Sequence, residues 1–489
     1  MSALRFHVDD EPIEIEGLSP TTTLLDWLRS TGRTGTKEGC AEGDCGACTV
    51  LLLDEDPAAP RLRAVNACLL LLPMVHGRRV WTVAGLARGE ALHPAQAALV
   101  DDNGSQCGYC TPGVVMSMAE AAHRPELRDA APDDWRLDDQ LCGNLCRCTG
   151  YRPIRDALRQ VAGHQPDDPI RPHLQAHTAS ARPHSLRYEA GGQRFLAPTQ
   201  LAEALEILAN EPQARIVSGA TDLGLEVTQR HAHFPVLLSL ERVPELSGIR
   251  REGEHLVIGA GTRLTDLEAW SAQGLPVLHR MLRYFGSRQI KHRATVGGNL
   301  CNASPIGDLA PVLLALDAEL HLLRRDGART VPLDAFFLGY RHTALRPGEL
   351  LGGIRLAEPT AETRLAAYKV SRRRELDISA VSAGFALRLE GERIAHVRLA
   401  YGGMAATPAR ARKAEAALLG QAWSLDSLTE AGLALARDFQ PLDDHRGSAW
   451  YRATVARNLL LGFHDESRAA GCAALPPRHT GTVLPGGPA

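Results

Sequence analysis

Gly39-Cys40-Ala41-Glu42-Gly43-Asp44-Cys45-Gly46-Ala47-Cys48 is the stretch on which the reading of this 489-residue chain turns. Three cysteines stand in the order C-x4-C-x2-C, and Cys68 offers a fourth thiol further on. The spacing is that of plant-type [2Fe–2S] centres, where one loop wraps a compact iron–sulfide core with three thiolates. Gly39, Gly43 and Gly46 permit the tight and left-handed turns such a loop requires. Their missing side chains also let backbone N–H groups approach the sulfurs, which raises the reduction potential. Four cysteines can satisfy zinc as well. Zinc ribbons, however, show two well-separated C-x2-C pairs, which a Gly-rich triplet does not match.

Working outward, Leu4, Phe6 and Val8 alternate with polar residues, Asp9-Asp10-Glu11-Pro12 turns, and Ile13 and Ile15 alternate again, a β-hairpin signal. Thr21 to Ser30 reads as a helix with Gly32 just past its end, and Thr49 to Leu53 and Val80 to Val83 read as strands. Residues 1–88 are thus expected to form a small α+β domain. Residues 89–164 turn helical, with Pro94 and Pro112 suited to first helical turns and Thr111 placed to cap the second helix. Cys107-x2-Cys110 and Cys146-x-Cys148 bring four more thiols, each pair near the expected start of a helix. The positive end of a helix dipole favours anionic thiolates there. The set reads as a second [2Fe–2S] centre, since C-x2-C with C-x-C is unusual for zinc. Eight thiols fill two such centres, so Cys142, Cys301 and Cys472 are read as ordinary cysteines.

Composition agrees. Nine of the eleven cysteines lie between Cys40 and Cys148, which makes the first third a metal-binding region. A formal net charge of -3 gives no argument for nucleic acid or an anionic membrane, and neither is expected as a partner. Apolar runs are short, such as Leu69 to Leu72 stopped by Pro73, far from the roughly 18 residues of a membrane span. The first residues show no basic segment followed by an apolar one, so the expected location is cytoplasmic. In that compartment cysteines serve better as metal ligands than as disulfides.

Residues 165–194 carry Pro166, Pro169, Pro172 and Pro183 without periodicity and read as a linker. A second body is expected over residues 195–360, with a helix from Pro198-Thr199 to Asn210 and a short strand at Arg215 to Ser218. A third unit spans 361–465, with strands at Phe385 to Leu389 and Val397 to Tyr401, and 466–489 reads as a disordered Pro/Gly-rich tail. Gly259-Ala260-Gly261 is not a dinucleotide fingerprint, because Leu264 stands where the third glycine belongs.

The first cysteine stretch, Gln106-Cys107-Gly108-Tyr109-Cys110-Thr111-Pro112-Gly113, and Gly143-Asn144-Leu145-Cys146-Arg147-Cys148-Thr149-Gly150-Tyr151-Arg152-Pro153 together resemble the iron–sulfur domains of molybdenum hydroxylases. The resemblance implies a plant-type ferredoxin-like domain with Cys40, Cys45, Cys48 and Cys68 on one cluster. A four-helix domain with Cys107, Cys110, Cys146 and Cys148 on the other would follow. It places the second cluster nearest the molybdopterin, with Gln106 and Cys148 approaching it. Beyond the linker, Ile216-Val217-Ser218-Gly219-Ala220-Thr221-Asp222-Leu223 resembles the family's FAD pyrophosphate loop. Ala294-Thr295-Val296-Gly297-Gly298-Asn299 and Ser304-Pro305-Ile306-Gly307-Asp308 resemble its second FAD segment. A glycine-bearing strand-to-helix turn can indeed offer N–H groups to two phosphates, and Thr221 can add a hydroxyl. By the same resemblance Phe285 stacks on the flavin, Leu351 and Lys369 touch it, and Glu42-Gly43 faces its dimethylbenzene edge.

The implied architecture is multidomain α+β: the two cluster domains, a vanillyl-alcohol-oxidase-type (PCMH-like) FAD-binding domain, and a C-terminal α+β domain like that of CO dehydrogenase flavoproteins. Iron–sulfur and FAD modules joined without a molybdenum domain resemble, within the family, the small subunit of bacterial-type xanthine dehydrogenases. That likeness implies a molybdenum cofactor on a separate molybdopterin-binding large subunit, in an α2β2 heterotetramer. Electrons from hydroxylation of xanthine or hypoxanthine to urate would pass through both clusters to FAD and then NAD+. The same role for an aldehyde or N-heterocycle hydroxylase stays open. No catalytic acid, base or nucleophile for the hydroxylation is expected in this chain. Leu376 stands where animal members carry an acidic residue near the flavin, which leaves the choice between NAD+ and O2 open.

Overall fold

The computed structural model describes residues 3–54, 60–127, 133–175, 184–374 and 376–469. The chain divides into two compact units. One is Met1–Glu245 together with Gly286–Thr295, and the other is Leu246–Phe285 together with Val296–Ala489.

The first unit opens with a five-stranded sheet in the order Glu11–Ile15, Leu4–Val8, Arg79–Trp81, Thr49–Asp54, Arg61–Asn66. Leu4–Val8 pairs antiparallel with Glu11–Ile15 and parallel with Arg79–Trp81. The hairpin turns on Asp9 and Asp10, both at positive φ, so Glu11 and Pro12 belong to the strand instead of the turn. Proline is tolerated because this strand is the sheet edge, where a missing N–H costs no ladder bond. The helix begins at Leu24, not Thr21, because Thr23 and Asp26 close a capping box there. Its Leu24, Leu25, Trp27 and Leu28 are buried in one core with Leu4, Phe6 and Val8. Phe6 meets Trp27 edge-on at 5.2 Å. Each such side chain removed from water contributes about 2 kcal/mol.

Four helices follow: Pro94–Asp101, Thr111–Ala122, Asp134–Leu141 and Arg152–Val161. Pro94, Pro112 and Pro153 all lie in first turns. Thr111 is the first helical residue, and Cys110, not Thr111, stands at the cap. Gly113 to Ala122 are buried without a break, including the polar Ser117 and Glu120, which find partners inside the unit.

The expected linker at 165–194 is largely structured. Asp168, only 2% exposed, meets His93 Nε2 at 2.9 Å and His123 Nε2 at 2.6 Å and accepts the N–H groups of Ile170 and Arg171. Arg171–Gln175 is helical and Leu186–Ala190 is a strand, so the next body begins before Phe195. Residues 176–183 lie outside the description. The four-stranded sheet here runs Leu186–Ala190, Gln193–Ala197, Val236–Ser239, Arg215–Val217.

The second unit holds an antiparallel five-stranded sheet, Ile249–Glu252, His255–Gly259, Leu350–Ala357, Glu319–Arg324, Gly327–Pro332. A four-stranded sheet follows, Arg364–Val370, Val381–Glu390, Arg393–Gly402, Ala409–Arg410. Phe385 centres its core, 5.6 Å from the Tyr368 ring, 5.2 Å from Tyr401 and 5.5 Å from Phe463. The last helix runs Ala449–Ala469, so the first residues of the expected tail are helical. The rest of that tail, with Cys472, falls outside the described residues. Among the described residues no helix is long and apolar enough to cross a membrane.

Candidate functional site

In the first unit the loop from Gly39 to Cys48 curls so that backbone N–H groups point at sulfur. Cys40 Sγ accepts from Glu42 N at 3.4 Å and Cys45 N at 3.3 Å, and Cys45 Sγ accepts from Cys40 N at 3.3 Å. Gly43 and Gly46 take φ of +83° and +69°, the left-handed turns their lack of Cβ allows. Gly39 is required for another reason: a Cβ there would lie 2.6 Å from Cys45 Sγ. The thiols meet two by two. The hydrogen bond from the Cys45 thiol, helped by backbone N–H groups, holds Cys40 down at about 5 and leaves Cys45 pushed up. Cys48 and Cys68, both buried, share a proton in the same way. Cys48 is lowered by its hydrogen bond from Cys68, and Cys68 is raised by the same bond and by burial.

The second set repeats the pattern. Burial and a hydrogen bond to Cys146 push the Cys110 thiol up to about 12. Burial also presses on Cys146, but hydrogen bonds from Thr149 and its neighbours outweigh it and lower this thiol. Cys148 is exposed, and its hydrogen bond with the exposed Cys107 raises this thiol. Tyr151, in the left-handed region at φ +67°, sends its hydroxyl back to accept the Cys146 N–H at 2.9 Å. Among the described residues no three His, Cys, Asp or Glu side chains converge as one mononuclear metal centre would require. Each set supplies four thiols in two hydrogen-bonded pairs, the number of donors a [2Fe–2S] core takes, so both sets fit such a cluster. Cys142 stands apart, its Sγ directed at the Asp139 carbonyl at 3.1 Å.

The two cysteine loops touch. Leu145 N, one residue before Cys146, donates to the Cys45 carbonyl at 2.9 Å. Asn144 Nδ2 donates to Gly46 O at 3.2 Å, and the Tyr109 hydroxyl donates to Glu38 O. The approach is close enough that a Cβ on Gly46 would lie 1.9 Å from the Gly143 carbonyl oxygen. Asn144 stands inside the second cysteine stretch, whereas Glu38 carries no cofactor signal in sequence and only the folded contact reveals it.

The first cysteine loop also packs on the helix Leu223–Arg230. Gln229 Nε2 donates to Cys40 O and Ala41 O, each at 3.3 Å, and a Cβ on Gly224 would lie 3.0 Å from Leu69 Cδ2. Exposed Glu42 and buried Gly43 sit on the same loop. The helix follows the turn Ser218-Gly219-Ala220-Thr221-Asp222, which leaves the strand Arg215–Val217 containing Ile216 and Val217. Ala220 sits at φ +63°. A Cβ on Gly219 would lie 1.8 Å from the Arg293 carbonyl oxygen, so the turn is a cradle only glycine permits. Thr295 Oγ1 donates to Ser218 Oγ at 3.1 Å, which brings two expected flavin residues together.

In the second unit Val296 opens the short helix Val296–Cys301, and Gly297 packs where a Cβ would lie 2.7 Å from Ala260 Cβ. Gly298 is exposed, while Asn299 keeps a buried Oδ1 with no hydrogen-bond partner among the described residues. An orphaned acceptor next to two glycines fits a ligand bearing N–H or O–H donors. Asp308 is gripped by Lys369 Nζ at 2.8 Å and Ser379 Oγ at 2.5 Å. Leu351 is buried in the strand Leu350–Ala357, and Phe285 is half-buried, its N–H on Leu282 O at 3.1 Å. Ser379 is a partner the sequence did not announce.

Comparison with known proteins matches four family models in order: a 2Fe-2S iron-sulfur cluster binding domain over 6–72, a [2Fe-2S] binding domain over 82–159, the FAD binding domain in molybdopterin dehydrogenase over 188–359, and the CO dehydrogenase flavoprotein C-terminal domain over 366–467. A xanthine dehydrogenase of Emericella nidulans is 33% identical over 95% of this chain and 38% of its own length. The chain therefore spans about two-fifths of the length of the curated relatives it matches. Among solved structures, the carbon monoxide dehydrogenase from Hydrogenophaga pseudoflava that lacks the Mo-pyranopterin moiety is 32% identical. It is covered over 93% of its chain and 54% of this one, with a TM-score of 0.52. Quinoline 2-oxidoreductase from Pseudomonas putida 86 is 25% identical, covering 55% of this chain and 95% of that one at a TM-score of 0.51. With these domains in this order, the chain belongs to the molybdenum hydroxylase family and carries that family's two [2Fe–2S] domains and its FAD-binding domain.

Proposed function

We propose that this chain is the electron-transfer subunit of a xanthine dehydrogenase. It takes electrons from a molybdenum site on a molybdopterin-binding large subunit, where xanthine or hypoxanthine is hydroxylated, and passes them to NAD+. In this reading Cys40, Cys45, Cys48 and Cys68 hold one [2Fe–2S] cluster, and Cys107, Cys110, Cys146 and Cys148 hold the other. Ile216 to Leu223, Phe285, Thr295 to Asn299, Asp308, Leu351 and Lys369 serve FAD, with Glu42 and Gly43 toward its ring. When bound, these groups supply one-electron carriage and the hydride chemistry of the flavin. The chain's own residues fix spacing and surroundings: glycines admit N–H groups to sulfur, and Asp308 is held by Lys369 and Ser379. The assembly proposed is an α2β2 heterotetramer in the cytoplasm.

The observation that carries the reading is the doubled two-by-two pairing of thiols, with one loop bonded to the other through Leu145 N–H and Cys45 O. The chain purified alone should be brown, hold about four irons (two per cluster) and flavin, and oxidise NADH with artificial acceptors. It should leave xanthine untouched until a molybdopterin subunit is added. Zinc in place of iron, or no bleaching with dithionite, overturns the reading. A second reading, the same role beside an aldehyde or N-heterocycle hydroxylase, draws on the structural likeness to quinoline 2-oxidoreductase. Assay of the reconstituted complex with xanthine, hypoxanthine, aldehydes and quinoline separates the two.

A further inference from the structure

We propose that Gln289 is a positioning residue that fixes the spacing of the two iron–sulfur centres, an inference that rests on the two-cluster reading above. Residues Gly286–Thr295 group with the first unit although the chain on both sides belongs to the second. Ser287, Gln289 and Lys291 in this segment are at most 1% exposed. Gln289 Nε2 donates to Asn144 Oδ1 at 3.0 Å and Ser117 Oγ at 3.2 Å, with Thr49 Oγ1 at 3.4 Å. Asn144 in turn donates to Gly46 O, within the first cysteine loop, and precedes Leu145 and Cys146 in the second.

The orientation of this relay is forced. Gly46 O can only accept, so Asn144 must present Nδ2 to it and Oδ1 to the other side. Oδ1 already takes the Ser117 hydroxyl proton at 2.6 Å, and the remaining approach must come from a donor. Gln289 therefore presents Nε2. Its Oε1 lies over Gly143, where a Cβ would stand 2.1 Å away. One buried amide thus braces residue 144 before Cys146 and, through it, residue 46 after Cys45. The Leu145 N–H to Cys45 O bond sits beside this brace and depends on it to stay in register.

The test uses the full chain with its clusters in place, as Gln289→Glu and Gln289→Met. Glu keeps the shape and removes the donor, while Met keeps the volume and removes both polar atoms. Wild-type chain reduced with dithionite should show magnetic splitting between the two reduced clusters, which falls as the inverse cube of their separation. Both variants should keep iron and flavin yet show weaker splitting, with amide exchange at Leu145 about tenfold faster, the loss expected for one buried hydrogen bond. Splitting and exchange equal to wild type in both variants overturn the proposal. So does loss of iron from one cluster alone in Gln289→Glu, because a shared brace must loosen both loops. Absence of any splitting in wild type would instead strike the two-cluster reading itself.

Discussion

Glu241 allows the electrostatics of the first unit to be measured. Its carboxylate is 9% exposed and is held bidentately by Arg293, at 2.5 Å and 2.9 Å, with Arg78 Nη1 at 2.9 Å. Arg78 comes from the loop before the strand Arg79–Trp81 and Arg293 from the segment Gly286–Thr295, so one carboxylate ties three parts of the unit. Burial pushes the carboxyl upward, but the two guanidiniums outweigh it and hold it at about 2, against an ordinary 4.5. A shift of that size corresponds to about 3 kcal/mol of folding free energy. That agrees with the roughly 3–5 kcal/mol lost when one member of a buried ion pair is removed. The folded value lies below the unfolded one, so the contribution is complete above pH 4.5 and fades as pH falls toward about 2. Glu241→Gln leaves both guanidiniums facing an uncharged amide. In urea titrations followed by visible absorbance, the bleaching midpoint should fall by about 1 M if the slope is about 3 kcal/mol/M. The deficit should be constant from pH 5 to 8 and shrink below pH 4.5. A midpoint within about 0.2 M of wild type at pH 7, which at the same slope is under 1 kcal/mol, would refute the reasoning.

Two further outcomes follow from single contacts. Gly219→Ala forces a Cβ onto the Arg293 carbonyl, so the purified variant should keep its iron but lose most of its flavin, read as the flavin-to-iron ratio. Undiminished flavin would remove the Ser218 to Asp222 turn from the FAD site. Asp168→Asn should destabilise the first unit by about 2 kcal/mol at pH 7, the value of buried hydrogen bonds to a charged group, read as a lower melting temperature. Burial raises the Asp168 carboxyl, but the bonds from His123 and His93 hold it well below the ordinary range. The Asn penalty should therefore persist above the usual carboxylate range and disappear as pH drops through the folded value.

What the sequence revealed was chemistry with a fixed local pattern. Cysteine spacing, left-handed glycines and prolines in first turns are short-range requirements, and the fold meets them at Gly43, Gly46, Pro94 and Pro112. The strand Arg61–Asn66 went unread because it alternates poorly, with Arg63 buried beside Ala64 and Val65. The linker reading failed at Asp168 because a proline-rich stretch without periodicity gives no sign that one aspartate will reach two distant histidines.

The segment Gly286–Thr295 shows the limit of such reading most sharply. Arg288, Lys291 and His292 look like a solvated face, yet Lys291 is fully buried and His292 nearly so. Their charges are met only after folding, Lys291 by Asp139 at 3.3 Å and Arg288 by Glu120 at 3.1 Å and Asp139 at 3.4 Å. His292 also lies 3.2 Å from Glu120, which would suggest an ion pair. Burial and the nearby Arg288 and Arg63 instead hold the ring far below its usual range, hence neutral. Its Nδ1–H then donates to Ala64 O at 2.8 Å, and Nε2 accepts from Arg288 at 3.2 Å. Glu120 takes its charge partner from Arg288 alone of that pair. Removing any one of Arg288, Lys291, Asp139 or Glu120 would leave a buried charge uncompensated, so the segment is held in place by mutual neutralisation more than by apolar area. Such a lock is invisible to composition, because each acid that closes it lies more than a hundred residues from its base, and it is what keeps Gln289 seated against the cysteine loops.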